Sequence, residues 1–248
     1  MGRILCVANQ KGGVGKTTTA VNLAVGAAKG GCPTLLVDLD PQCNATSGLG
    51  CQPTDRHPLV EPRPLSQSLV PTGTPGLVLL PGGRSFHDVE VLAGRRAQES
   101  ALIARHLAAS MAAYEIVLID CPPSLGTLTQ TALACATEVL MPIQCEYFAM
   151  EGLTQMIEII RRAMQHESQR LQFGGIVLTM YDDRLELTTE VEKEVRDFFG
   201  EIVYTTVIPR DVAVSEAPSH GRSVLDHAPR SRGARAYVEL CMEVLERV

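Results

Sequence analysis

The sequence predicts an α/β domain: a doubly wound, mostly parallel β-sheet flanked by helices. Three observations carry that prediction. Short apolar runs rich in Val, Ile and Leu recur between stretches of helical periodicity. Runs such as Thr34-Leu35-Leu36-Val37 and Ile116-Val117-Leu118-Ile119 are apolar without alternation, as strands buried on both faces of a parallel sheet are. Glycine-rich and acidic segments fall just after these runs, beyond the carboxyl ends of the strands where such folds bind their ligands.

In chain order, strands are expected near 3–8, 34–38, 77–81, 115–119, 138–143, 174–180 and 203–207. Helices are expected near 16–30, 86–112, 126–136, 150–166, 188–199 and 230–247. The first strand, Ile4-Leu5-Cys6-Val7-Ala8, runs through a glycine loop into an amphipathic stretch from Thr17 to Ala28. Residues 52–76 break the alternation. Pro53, Pro58, Pro62, Pro64, Pro71 and Pro75 crowd them, and only Leu65 to Val70 looks briefly helical, so a surface excursion is expected. No linker divides the 248 residues, and one domain spanning 1–248 is expected. The glycine loop begins at Lys11, and no N-terminal helix-turn-helix domain is expected before it.

Composition narrows the function. With 22 basic and 28 acidic residues the net charge is −6, which excludes a uniformly basic nucleic-acid binder but not a local basic patch. The 8 cysteines form no C-x-x-C pair and several lie inside apolar runs, as free thiols in a reducing compartment do. No apolar run approaches the ~20 residues a membrane-spanning helix needs.

The segment Lys11-Gly12-Gly13-Val14-Gly15-Lys16-Thr17-Thr18 carries the clearest chemistry. Strand, glycine loop and helix in that order form a phosphate-binding loop. Glycines let backbone N–H groups converge on phosphate oxygens, and the positive end of the following helix adds to the field. Lys16 is placed to reach the β- and γ-phosphates, and the Thr17 hydroxyl to ligate Mg²⁺. The usual spacing is not met, because Gln10 stands where the first glycine belongs and Lys11 heads the loop instead. After the second strand comes Asp38-Leu39-Asp40-Pro41, where Asp40 is placed to order an attacking water or hold Mg²⁺ through water, and Asp38 is the structural member. After the fourth expected strand comes Ile119-Asp120-Cys121-Pro122-Pro123, an apolar run ending in a carboxylate suited to the Mg²⁺ shell. The two prolines force a rigid turn beside the phosphates.

Together these residues resemble the ParA/Soj branch of the deviant Walker-A ATPases, relatives of MinD and the nitrogenase iron protein. The matching blocks are 9–19, 35–50, 119–125, 144–153, 178–182, 207–211, 215–221 and 229–234. The resemblance implies a P-loop NTPase with ATP and Mg²⁺ as cofactors. It implies that Lys11 reaches across a dimer to the partner's nucleotide, that Lys16 is the Walker-A lysine, and that Asp40 is the switch residue for hydrolysis. It implies Mg²⁺ held by Thr17, Asp40 and Asp120, and adenine contacts from Met180, Pro209 and Asp211. It further implies an ATP-bound homodimer that binds double-stranded DNA without sequence preference and is stimulated by a ParB-like partner. The expected location is the cytoplasm, on the nucleoid in the ATP state.

One departure stands out. Ala213 occupies a position where Soj-like relatives usually carry a DNA-binding arginine. Arg184 is retained, and Arg222, Arg230, Arg232 and Arg235 are further candidates for a basic patch. Other cargoes, such as a chemosensory array or a microcompartment, share these motifs. A MinD-like membrane switch is disfavoured because the tail 237–248 carries Glu239, Glu243 and Glu246 against Arg247, so stable membrane association is not expected. An iron–sulfur carrier would need cluster cysteines; Cys121 and Cys145 lack suitable flanking glycines.

Overall fold

The structure is a computed structural model, and it describes residues 2–61, 64–85, 88, 113–124, 126–146, 153, 156–161, 164 and 171–247. Its strands are β1 (Arg3–Val7), β2 (Thr34–Asp38), β3 (Val70–Pro71), β4 (Leu77–Leu80), β5 (Ile116–Asp120), β6 (Glu138–Gln144), β7 (Gln172–Tyr181) and β8 (Val203–Pro209). They form one sheet in the order β3-β4-β2-β5-β1-β6-β7-β8. Every pairing is parallel except the short edge pair β3–β4. The doubly wound, mostly parallel sheet expected from sequence is therefore present.

Apolar side chains alternate between the two faces of this sheet. Along β1, Ile4 and Cys6 belong to one core cluster, and Leu5 and Val7 to the other. The second cluster is closed by α1 (Lys16–Lys29) and by the C-terminal helix, which contributes Tyr237, Leu240 and Val244. The remaining described helices are α2 (Asn44–Gly48), α3 (Thr127–Cys135), α4 (Glu186–Phe199), α5 (Val212–Glu216), α6 (Val224–His227) and α7 (Arg232–Glu246). Because β1 lies between β5 and β6, the chain leaves it in one direction and later returns on its other side. That makes the carboxyl end of β1 the switch point, where such sheets open a crevice.

The differences from expectation have local causes. The expected helix 230–247 begins at Arg232, because Ser231 Oγ accepts the Ala234 N–H and caps it. The short α2, α5 and α6 have no counterpart in the sequence pattern; each spans five residues or fewer, too short to show a helical period. The expected helix 86–112 lies outside the described residues except Asp88, which is helical. In the expected helix 150–166, the described Leu153, residues 156–161 and Met164 are helical.

Residues 52–76 are not merely a surface excursion. Pro58, Leu59 and Leu65 are buried, and Leu59 and Leu65 join the first core cluster. Leu65–Gln67 forms a single 3₁₀ turn before β3. Thr54 bridges to Gly83 and donates its N–H to the Gly82 carbonyl at 2.9 Å, which lays the segment against the end of β4. The approach is so close that a Cβ on Gly83 would sit 2.5 Å from the His57 backbone nitrogen. Gly83→Ala is therefore expected to destabilise the fold by ~1–3 kcal/mol through overpacking against backbone. Urea unfolding checks this; an unchanged midpoint would show that the segment is loosely attached.

Candidate active site

The site is built where β1, β2 and β5 end. The loop after β1 turns through Gly13 at φ 74° and Gly15 at φ 89°, backbone conformations that disfavour any side chain. Gly15 is the N-cap of α1, so the loop delivers its amides to the helix's positive end. Two contacts anchor the loop to the other half of the sheet. The Thr179 hydroxyl donates to the Val14 carbonyl at 2.9 Å, and Asn9 Nδ2 donates to the Pro142 carbonyl at 2.8 Å. Sequence reasoning misses both anchors, although Asn9 heads one of the matching blocks and Thr179 lies within another.

The loop, the β2 end and the turn after β5 enclose a cleft of about 300 Å³. Gly12, Gly13, Gly15, Lys16, Thr17, Thr18 and Asp40 line it, with Pro123 and Met180 among the residues that close it. Met180 reaches this position with a left-handed backbone at φ 52°, a strain that a non-glycine residue adopts only where its surroundings impose it. A neighbouring cavity of about 280 Å³ shares Thr17, Thr18 and Asn44 with the cleft and is bounded by Pro218 and Arg222.

Charge in the cleft is unbalanced. Lys16 is 6% exposed and its Nζ donates to the Lys11 carbonyl at 2.7 Å. Burial pulls this ammonium below its ordinary pKa, and Asp120 and Asp40 oppose that shift. Asp120 is fully buried, and neither carboxylate oxygen meets a donor in full hydrogen-bond geometry among the described residues. Burial pushes its carboxyl well above the usual range, Asp38 and Asp40 add to the rise, and the Thr17 hydroxyl and Lys16 oppose it. Asp38 is also buried and is pushed up to about 6, first by burial and against the bonds from Thr46. An unpaired buried carboxylate next to a threonine hydroxyl offers the oxygen ligands a hard divalent cation takes. Thr17 and Asp120 therefore fit Mg²⁺. Asp40 keeps one oxygen on the Gln42 N–H at 2.9 Å.

The other expected residues separate into two groups. Lys11 does not enter its own cleft; its Nζ pairs with Glu146 Oε2 at 2.9 Å. Gln144 donates to the same carboxylate, so the end of β6 holds the head of the loop. Pro209 ends β8 and is absent from the lining of the cleft, as is Asp211. Asp211 is the N-cap of α5: one oxygen accepts the Ala213 N–H at 2.9 Å and the other the Gly233 N–H at 2.8 Å. Arg184 and Arg232 come together beside Asp182 and Asp183. Arg184 binds Asp182 at 2.7 Å, and Arg232 stands 3.9 Å from Asp183. The Arg184 bonds pull the Asp182 carboxyl down to about 2, and Arg210 contributes, which adds Arg210 to this cluster. Arg235 follows one turn after Arg232 on α7. Arg230 is exposed nearby in sequence, and Arg222 lies apart at the neighbouring cavity.

A parallel sheet whose central strand feeds a glycine loop, a buried lysine and an orphaned carboxylate defines a P-loop nucleotide hydrolase. The family model described as an AAA domain matches residues 2–173. The chromosome partitioning protein ParA of Caulobacter vibrioides strain NA1000 / CB15N is 46% identical over 252 residues, covering 99% of this chain and 94% of the relative. The sporulation initiation inhibitor protein Soj of Bacillus subtilis strain 168 is 43% identical, covering 98% of each chain. Among solved structures, Pyrococcus furiosus cell division ATPase MinD superposes with a TM-score of 0.83 at 25% identity and full coverage of both chains. A Mycobacterium smegmatis protein named cobyrinic acid a,c-diamide synthase, with bound ATP analog and magnesium, superposes with a TM-score of 0.84 at 35% identity, covering 99% of this chain and 95% of that one. The chain belongs to the ParA/Soj family of partitioning ATPases. It is an ATP-hydrolysing enzyme that uses ATP and Mg²⁺. No described helix is long and apolar enough to cross a membrane.

The unpaired Asp120 makes a distinctive prediction. Its raised carboxyl holds a proton more readily in the folded than in the unfolded chain, so it favours folding at low pH and that benefit is lost as pH rises. Without Mg²⁺ or nucleotide, Asp120→Asn should therefore raise the thermal midpoint at neutral pH, and the gain over wild type should shrink as pH falls. Adding Mg·ATP should stabilise wild type and much less the variant. A variant less stable than wild type at neutral pH would mean that Asp120 has a structural partner.

Proposed function

We propose that this chain is a dimerising ATP switch for DNA partitioning, with Lys11 acting in trans. The observation that supports this most is the division between its two loop lysines. Lys16 occupies the cleft, whereas Lys11 is turned away to Glu146 in a half-exposed pair. Such a surface pair is worth only ~0–1 kcal/mol, so Lys11 is readily released. A lysine with no phosphate of its own to serve has a use on the nucleotide of a second copy, as an arginine finger does. Dimerisation would then depend on ATP in the facing cleft.

Within each copy the family resemblance supports the following roles. The amides of Gly12 to Thr18 and the Lys16 ammonium bind the phosphates. Thr17 and Asp120, with Asp40 through water, hold Mg²⁺, which when bound neutralises charge on the phosphate oxygens. Asp40 orders the water that attacks. Met180 contacts the base, with Pro209 and Asp211 supporting the loops that frame it. The cluster of Arg184, Arg210, Arg232 and Arg235 suits the backbone of double-stranded DNA, which one smooth basic face binds without reading sequence. Asp182 and Asp183 temper that cluster, and Ala213 adds no charge to it. A ParB-like partner would accelerate hydrolysis and release the DNA.

Light scattering with Mg·ATP tests the switch. Asp40→Ala should accumulate as a dimer, while Lys11→Ala should bind ATP yet stay monomeric. Dimerisation of Lys11→Ala to the same extent would remove the trans role. The same Asp40→Ala dimer should bind nonspecific duplex DNA, and adding Arg184→Glu should lower the salt slope by ~1 for each phosphate it no longer neutralises. ATP-independent binding to DNA would contradict the switch.

A further inference from the structure

Behind Asp40 lies a set of buried polar groups with no place in the nucleotide chemistry. His57 is 2% exposed and Asp88 1%. A buried imidazole and carboxylate persist only when partnered. His57 Nδ1 accepts the Leu59 N–H at 3.2 Å, so the ring proton sits on Nε2, which donates to the Asp38 carbonyl at 3.0 Å. Asp88 fixes His57 in turn, accepting its backbone N–H at 2.8 Å while Arg56 approaches the other oxygen at 3.3 Å. The Asp38 side chain continues the series. One oxygen accepts the Asp40 N–H at 3.3 Å, and the other accepts the Thr46 N–H at 2.8 Å and its hydroxyl at 2.6 Å. Thr46 Oγ1 also accepts the Gly82 N–H at 2.9 Å.

We propose that His57 is a positioning residue for hydrolysis: it pins the end of β2, and with it the carboxylate of Asp40. The inference rests on the reading of Asp40 as the residue that orders the attacking water. One oxygen of Asp40 is engaged by the Gln42 N–H, so the direction of the other follows the path of the backbone from Asp38. His57 grips that path at the peptide joining Asp38 to Leu39, two residues before the carboxylate. Its own support comes from the far side, through Asp88 and the segment laid against Gly82 and Gly83. The phosphate-binding groups are independent of this brace, because they stand on β1 and α1. Asp40 reaches Mg²⁺ only through water, so His57 acts mainly on the chemical step and little on the binding of ATP. Misplacing a reacting group by about 1 Å costs up to ~100-fold in rate.

Steady-state hydrolysis of Mg·ATP by the full chain tests this, with wild type, His57→Phe, His57→Gln and Asp40→Ala. Phenylalanine fills the ring's space without donating; glutamine keeps an N–H donor at similar reach. His57→Phe should lower kcat about tenfold with KM for ATP within about twofold of wild type. His57→Gln should recover most of the loss. Wild-type kcat in His57→Phe, equal losses in Phe and Gln variants, or a KM that rises in step with the loss would each overturn the inference. If His57→Phe does not fold, His57→Asn, whose shorter amide falls short of the Asp38 carbonyl, replaces it with the same expectation. Asp40→Ala separates the two levels. If it hydrolyses ATP like wild type, the role of Asp40 itself is wrong. If it is inactive while His57→Phe is normal, only the role of His57 fails.

Discussion

The burial of like charges at the ends of β2 and β5 is the constraint on which this structure turns. Asp38, Asp40 and Asp120 are each 6% exposed or less, and the buried Lys16 stands beside Asp120 and Asp40. Carboxylates removed from water destabilise a fold unless they are paired or bonded. Asp38 is relieved by three donors, and Asp40 by one. Asp120 has no donor in full hydrogen-bond geometry among the described residues, only the nearby Thr17 hydroxyl and the Lys16 charge, and burial raises its carboxyl. In the proposed reading, a cation and a polyphosphate complete the site from outside. In that reading, stability and function are opposed at Asp120 and joined at Asp38.

Much of the surrounding architecture serves to hold that imbalance in place. The loop between β1 and α1 cannot rest on the sheet alone, and so Thr179 and Asn9 tie it to β7 and β6. The end of β2 is gripped from behind by His57 and from the side by Thr46 of α2. Even Asp211, expected as an adenine contact, has both oxygens on backbone amides and joins α5 to α7.

The sheet is legible in the sequence because its central strands are buried on both faces, which leaves uninterrupted apolar runs such as 34–37 and 116–119. The phosphate loop is legible because a strand, glycines and a helix must occur in that order to make one. The elements that are not legible lack local periodicity. The two-residue β3 pairs only at an edge, and the short α2 is held by Asp38, eight positions before the Thr46 amide it accepts. The proline-rich segment looks like surface because prolines interrupt both helix and strand. Its place behind the end of β2 depends on Leu59 and His57 meeting residues from β2 and the region after β4, a tertiary fact. Likewise, the pairing of Lys11 with Glu146 spans 135 positions and leaves no trace in spacing.

If the charge imbalance at Asp120 is what the ligand completes, filling the site must displace a proton. Calorimetry of Mg·ATP binding in buffers of different ionisation heat measures that proton directly, as metal binding to a protonated ligand releases it. Wild type should release more protons than Asp120→Asn, and the difference should grow as pH falls within the range where Asp120 takes up a proton. Equal proton release by the two proteins at every pH would contradict it.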